Sequence, residues 1–395
     1  MTPAARIQSA IEVLDAVIAA ARTRGAPADR LLADWFKAHR FAGSKDKRAI
    51  RELVYDAIRI CGPVPASGRA AMLALSRESE AHDWIEPMFD GSQYGPTKIA
   101  PGEQAAEVGY APEWLEDRLI ASGLDEEEAA ALLDRAPLDV RVNRLKTKRE
   151  AIELPVEAEE LAAPDALRLP TGAQVQQWEA FEKGLVEVQD LGSQLACAAV
   201  GAQPGESVID LCAGAGGKTL ALAAAMANRG TLVAADTDRR RLSQLGPRAE
   251  RAGAEIGDTV LLDPGREAEA LAGWVNAADR VLIDAPCSGT GTWRRNPEAR
   301  WRLTPAELEK LTALQARLLE IGAGLVRPGG SLTYVVCSLL DEEGAGQVEA
   351  FLAANPEWRA APPELPLGTA RGAGIRLTPA HDGTDGFFIA RLEKA

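Results

Sequence analysis

The sequence predicts a doubly wound α/β chain, a mostly parallel sheet with helices on both faces, preceded by a small α+β unit and an all-helical N-terminal domain. Three observations predict it. From Val186 onward, short β-rich runs alternate with segments long enough to cross over. Between Asp139 and Pro170, short β-like pieces flank a helical one, and the first sixty residues carry apolar stripes at 3.6-residue spacing. The boundaries fall at 1–135, 136–185 and 186–395.

Element by element, Ile7, Ile11, Val13, Leu14, Val17 and Ile18 form the first helical stripe, and Ile50, Leu53, Val54, Ile58 and Ile60 the second. Between them lies Phe41-Ala-Gly-Ser-Lys-Asp-Lys-Arg48, a turn with Ser44 as N-cap. Residues 61 to 110 read as short helices joined by loops. Leu115 to Leu133 reads as one helix with the acidic run Asp125 to Glu128 in its middle. After Ala136-Pro137, Val140-Arg-Val142 and Leu167-Arg-Leu169 are the β-like pieces of the small unit. The later strands are Ser207–Leu211, Thr231–Ala235, Thr259–Leu262, Arg280–Ile283 and Ser331–Val336, with Gly386–Arg391 expected at an edge.

Composition bounds the function. The chain has 395 residues, 46% of them hydrophobic and 26% charged, which fits a globular protein of two or three domains and excludes collagen, coiled coil and wholesale disorder. No uncharged apolar run reaches the roughly 18 to 20 residues of a membrane span. Arg6, Glu12 and Asp15 interrupt the N-terminal apolar stretch, unlike a signal peptide, so a cytoplasmic, non-membrane monomer is expected. Cys61, Cys197, Cys212, Cys287 and Cys337 are odd in number and include no Cys-x-x-Cys pair. With only His39, His82 and His381 beside them, neither a disulfide framework nor a metal site is expected.

A net charge of −14 argues against a nucleic-acid partner only if it is evenly spread. It is not. Residues 1 to 60 hold eleven Lys/Arg against seven Asp/Glu, whereas residues 61 to 135 hold five against fifteen. Two further stretches are basic: Asp139–Arg149, with five positive residues and one negative, and Gly291–Arg302, with four and one. One short basic run alone is more often a solvated face. The three together predict one basic face on an acidic remainder.

Chemistry concentrates at the strand ends. The first strand of the large sheet runs into Asp210-Leu-Cys-Ala-Gly-Ala-Gly-Gly-Lys-Thr219 and then an alanine-rich helix, the position of a nucleotide or cofactor loop. The Walker pattern fails because Cys212 stands where it needs glycine, and Gly-x-Gly-x-x-Gly fails because Thr219 stands at its last position. S-adenosylmethionine tolerates the glycines present, and Asp236 stands where an acid would hold its ribose. The bland alternative is a plain tight turn. Cys287 in Asp284-Ala-Pro-Cys-Ser-Gly-Thr-Gly291 and Cys337 in Val335-Val-Cys-Ser-Leu339 both fall at carboxyl ends of strands. One buried cysteine is usually just a small hydrophobe. Two beside such a loop point to methylation of a pyrimidine carbon, which needs a thiolate to activate the ring.

With Trp293-Arg-Arg-Asn-Pro297, Trp301 and Thr384-Asp-Gly-Phe-Phe388 added, this set resembles the Sun/Fmu (RsmB-type) family of bacterial ribosomal RNA cytosine-5 methyltransferases. Val188-Gln-Asp-Leu-Gly-Ser193 and Arg141-Val-Asn143 resemble two more of its signatures, and the N-terminus is similar to its NusB-like RNA-binding domain. The resemblance implies a Rossmann-like class I methyltransferase sheet, S-adenosylmethionine as cofactor and a cytidine of RNA, 16S ribosomal RNA by preference, as target. It implies Cys337 as nucleophile, Cys287 assisting product release, and Asp284 on the Watson–Crick edge of the base. Cys212, Ala213, Gly214, Ala215, Gly216, Gly217, Lys218, Asp236, Asp263 and Asp284 are then expected to bind the cofactor or line the base pocket. In DNA cytosine-5 methyltransferases the Pro-Cys cysteine attacks instead, so spacing alone does not assign the two roles. The chain departs from the family pattern at Ala215 (usually proline), Val336 (usually threonine) and Gly344 (usually asparagine). A DNA methyltransferase, a non-catalytic RNA-binding factor and a small-molecule methyltransferase are the rivals. Lys/Arg of the N-terminal domain, of Arg141–Arg149 and of Arg294–Arg302 are expected on RNA phosphates, and Trp293 and Trp301 either stack on RNA or pack under their loop.

Overall fold

The computed structural model describes residues 1–23 and 25–395. Arg24, one of the basic residues of the first sixty, lies outside them. The chain forms two compact units: residues 1–134 with 292–304, and residues 135–291 with 305–395. The segment 292–304, expected in the third domain, thus packs in the helical unit.

In the helical unit, Pro3–Thr23, Ala28–Ala38, Ser44–Ile60 and Gly68–Glu78 are helices whose apolar stripes meet in one core. The stripe residues Ile7, Leu14, Val17, Ile50, Val54 and Ile58 are all buried there. Gly43, not Ser44, occupies the N-cap, and its N–H donates to the Asp46 carboxylate at 3.2 Å. The stretch expected as one helix is two, Glu113–Ala121 and Glu126–Ala131. Asp125 accepts the N–H of Glu128 at 2.9 Å, so the acidic run starts a helix at its favourable, positive end rather than lying mid-helix.

The second unit opens with four strands, β1 Leu138–Val142, β2 Glu159–Glu160, β3 Ala166–Leu169 and β4 Val186–Val188, in an antiparallel sheet of order β2-β3-β1-β4. Nine more make the large sheet: β5 Ser207–Asp210, β6 Thr231–Asp236, β7 Asp258–Leu261, β8 Ala278–Asp284, β9 Val326–Val336, β10 Trp358–Ala360, β11 Thr369–Arg371, β12 Gly374–Leu377 and β13 Phe387–Lys394. Its order is β11-β12-β13-β9-β8-β5-β6-β7, with β10 also on β13. Strands β5 to β9 pair in parallel, and β10 to β13 add an antiparallel flank. Successive residues face opposite cores, as the period of two requires: Ile209, Val281 and Ile283 enter one, Val208 and Leu282 the other. The last strand is not at an edge. Strand β13 lies between β9 and β12, and Phe387, Phe388 and Ile389 are buried. Its apolar run is long because both faces are covered.

Candidate functional site

Within the second unit the strand order turns back between β5 and β8, which opens a crevice at the carboxyl ends of the strands, the place where doubly wound sheets bind ligands. The residues singled out from the sequence gather there. Asp210 ends β5, Asp236 ends β6, Asp284 ends β8 and Cys337 follows β9 directly. Asp263 stands two residues past β7 with its side chain exposed.

The loop from Cys212 to Gly216 is held by its own backbone and by two side chains. Ala213 N–H donates to the Ala235 carbonyl and Gly216 N–H to the Ala213 carbonyl, both at 2.9 Å. Gly214 N–H donates to Asp236 Oδ2 at 2.7 Å, while Oδ1 of the same carboxylate accepts from Asp238 N–H at 2.6 Å. Arg248 donates to the Ala215 carbonyl at 2.8 Å and to the buried Glu187 at 3.0 Å, which fixes the loop where the resembled family has proline. The helix Gly217–Ala225 then begins. A Cβ placed on Gly217 would meet nothing within 4 Å, so free space lies over the helix start and its unpaired N–H groups. A loop gripped by the acid of the next strand, open above a helix N-terminus, fits the nucleoside and carboxylate of S-adenosylmethionine.

Lys218 does not reach toward a phosphate. Its Nζ pairs with Asp284 Oδ2 at 2.7 Å. Burial works against the ammonium charge, but Asp284, with Cys197 and Cys337 adding to it, outweighs burial and the pKa of Lys218 is raised. Asp210 is fully buried beside this pair and accepts from Thr219 Oγ1 at 2.7 Å, while its Oδ1 has no partner. Burial, with the charge of Asp284 added, pushes its carboxyl up to about 7. The Cys212 thiol is likewise pushed well up, by burial and then by Asp210, Asp284 and Asp236.

The two cysteines meet. Cys287 Sγ and Cys337 Sγ lie 3.3 Å apart, both half-buried. The hydrogen bond to Cys337, burial and the Glu343 charge raise the Cys287 pKa far above its ordinary value, and either thiol can donate to the other. Gly291 joins the two loops to the chain's last signature: its N–H donates to the Cys337 carbonyl at 3.1 Å and its carbonyl accepts from Gly386 N–H at 2.7 Å. A Cβ on Gly291 would come within 2.1 Å of the Gly386 carbonyl oxygen, so only glycine permits this approach.

The sequence places Glu343 only as the glutamate that follows the second cysteine in the resembled family, with no role, and leaves out its partners Ser288, Ser338 and Gln315. Glu343, fully buried, accepts from Ser288 N–H, from both the Ser288 and Ser338 hydroxyls and from Gln315 Nε2. The signal was present in the repeated dipeptides Cys287-Ser288 and Cys337-Ser338. Sequence reasoning also misplaced several cations. Arg141 is buried and donates to Gln189 Oε1 at 2.7 Å. Lys146 Nζ donates to the carbonyls of Lys183 at 2.8 Å and Arg251 at 2.6 Å. Arg300 is fully buried in the helical unit and donates to the carbonyls of Pro297, Ile58, Arg59 and Cys61. Arg302 donates to the carbonyls of Gly25 and Ala26, both at 2.7 Å. Arg141 and Arg300 are buried and not free for phosphates, while the exposed Lys146 and the partly exposed Arg302 spend donors on backbone carbonyls. Trp293 and Trp301 are buried as well, and Trp301 Nε1 donates to the Gly62 carbonyl at 3.1 Å, so they pack rather than stack. Exposed Arg40, Lys45, Arg48 and Arg51 of the helical unit and Lys148 of the second unit remain, with no acidic partner among the described residues.

Comparison with known proteins adds three findings. Residues 197–393 match the family model described as 16S rRNA methyltransferase RsmB/F. A probable ribosomal RNA small subunit methyltransferase B of Synechocystis is 36% identical over 317 residues, covering 75% of this chain and 69% of the relative; a ribosomal RNA small subunit methyltransferase B of Xanthomonas campestris is 37% identical over 303 residues, covering 74% and 68%. Among solved structures, one superposes on 100% of this chain and 99% of its own at TM-score 0.76 and 26% identity. A methyltransferase homolog from Pyrococcus horikoshii covers 72% of this chain and 99% of its own at TM-score 0.59 and 26% identity.

Proposed function

Since the chain belongs to the RsmB/F family of 16S rRNA methyltransferases, and so is S-adenosylmethionine-dependent, we propose that it methylates carbon-5 of a cytidine in small-subunit ribosomal RNA through a covalent adduct of Cys337 with carbon-6. The observation that carries this reading is the 3.3 Å separation of two thiols at neighbouring strand ends beside a cofactor-type loop. One ring presented to one sulfur is then within reach of both.

Cys212 to Lys218, Asp236 and Asp263 hold S-adenosylmethionine in this reading, with Asp236 on the ribose. When bound, the cofactor supplies an electrophilic methyl group to carbon-5. The target cytidine leaves its stack at a cost of a few kcal/mol, and Asp284, held by Lys218, takes its Watson–Crick edge. Cys337 adds as thiolate to carbon-6; the sulfur–carbon bond forms and the carbon-5–carbon-6 double bond shifts its pair to carbon-5, which makes that carbon nucleophilic. After methylation a base removes the carbon-5 proton, the double bond re-forms and the carbon–sulfur bond breaks with its electron pair on Cys337. Cys287, protonated and 3.3 Å away, donates to the departing sulfur and lowers the cost of the developing thiolate. Residues 1–135 act as a NusB-like RNA-binding domain, with Arg40, Lys45 and Arg48 on phosphates, and residues 136–185 as a further RNA-recognition unit.

Labelled methyl transfer from S-adenosylmethionine to 16S RNA, followed by bisulfite sequencing, tests the reading. Cys337→Ala is expected to abolish 5-methylcytosine, and Cys287→Ala to slow turnover and retain RNA covalently through Cys337. Methylation by Cys337→Ala, label on DNA rather than RNA, or a methyl group at another ring position would each overturn it.

A further inference from the structure

Two Cys-Ser dipeptides, Cys287-Ser288 and Cys337-Ser338, converge on one buried carboxylate. Glu343 Oε1 accepts from Ser288 N–H at 2.8 Å and from Gln315 Nε2 at 2.9 Å. Its Oε2 accepts from the hydroxyls of Ser288 and Ser338, the latter at 2.6 Å. Those hydroxyls lie 3.2 Å from each other, and Thr290 Oγ1 lies 3.0 Å from Ser338 Oγ while accepting Leu339 N–H at 2.9 Å. Residue 343 is itself anchored, because its carbonyl accepts from Tyr334 Oη at 2.7 Å and Tyr334 is a core residue of β9. Its neighbour is closely packed too: a Cβ on Gly344 would come within 2.9 Å of the Phe388 ring.

Burying an ionised carboxylate costs several kcal/mol unless donors surround it. Here four donors do, from three separate segments: 288, 315 and 338. None of the four bonds is needed to build the sheet, which is paired strand to strand without them. What they fix is the position of the residue after each cysteine. We propose that Glu343 is a positioning residue that clamps Ser288 and Ser338 and thereby holds the Cys287 and Cys337 sulfurs at a common ring. The proposal rests on the thiol chemistry above and deepens it. Glu343 touches neither thiol through a hydrogen bond and acts through the two serines.

Glu343→Gln keeps the volume and one carbonyl oxygen, but its NH2 faces donors that the carboxylate accepted. A misplacement near 1 Å at the reacting atoms is worth on the order of 10²-fold in rate, so kcat is expected to fall by about that factor with KM for RNA and affinity for S-adenosylmethionine unchanged. Adduct formation with RNA carrying 5-fluorocytidine, which blocks release because fluorine cannot leave as a proton does, should slow in parallel. Ser288→Ala and Ser338→Ala each remove part of the clamp and should give smaller losses of the same kind; they carry the test if Glu343→Gln does not fold. Unchanged kcat and adduct rate in a folded Glu343→Gln protein, or a loss that appears only in KM or thermal stability, would overturn the clamp. Absence of any adduct in the wild type, or its persistence in Cys337→Ala, would instead overturn the thiol mechanism, so the two failures are distinguishable.

Discussion

Asp210 should make the stability of this protein fall between mildly acidic and mildly alkaline pH, and Asp210→Asn should remove that dependence. The carboxyl is fully buried at the end of β5, has one hydrogen bond, from Thr219, and lies near Asp284 and Asp236; burial first, and then those charges, hold its pKa at about 7 in the fold against an ordinary value of 3.8. The sign follows from linkage. A carboxyl whose pKa is raised on folding binds more protons folded than unfolded in that interval, so it lowers stability progressively as pH rises from about 4 to 7, and the full penalty persists above 7. One pKa unit corresponds to about 1.4 kcal/mol. Between pH 5 and pH 8 wild type should therefore lose about 2 to 3 kcal/mol through this group, accumulated over the two units up to pH 7. Asparagine has no charge to desolvate, although its NH2 would stand where Oδ1 now lacks a partner, at a cost of about 1 to 3 kcal/mol that does not depend on pH. The assay is urea denaturation of both proteins at pH 5 and pH 8 without cofactor, and the quantity read is the change in their stability difference. A shift of about 2 to 3 kcal/mol toward Asp210→Asn on going to pH 8 is expected. Parallel pH profiles would refute the reasoning that burial holds this acid protonated.

Two other predictions concern the cations. Arg300→Met removes a guanidinium whose four carbonyl acceptors are internal to the helical unit, so it should destabilise the protein by roughly 3 to 5 kcal/mol in thermal or denaturant melts. A folded variant whose only defect was a shallower salt dependence of RNA binding would return Arg300 to the phosphate. Exposed Arg40, Lys45 and Arg48 should behave oppositely: their joint replacement by glutamine should leave the melting temperature nearly unchanged and reduce the slope of log affinity against log salt by about 0.7 to 0.9 for each phosphate no longer neutralised. RNA affinity with an unaltered salt slope would remove them from the RNA path.

Local chemistry made much of this protein legible. The parallel strands β5 to β9 were readable because β-rich runs alternate with crossover segments, and the place of the glycine loop because its glycines follow a strand and open a helix. Cys287 and Cys337 were readable because one stands three residues past the end of β8 and the other directly after β9. The helix break before Asp125 was not, since an acidic run fits equally well inside a helix or at its start, and only the cap geometry decides. Nor was the interior position of β13, because an apolar run does not state its neighbours.

The sequence by itself thus determined which residue types could do chemistry and at which strand ends they would stand, because those depend on spacing along one segment. Only the tertiary structure decided which side chains remain free to act. Arg300 and Arg302 look like phosphate ligands until the carbonyls of residues more than two hundred positions away are seen to occupy them. Glu343 carries no role in the sequence until four donors from three segments are seen to enclose it. The physical reason is the same in both cases: a buried charge persists only where distant parts of the chain supply its partners.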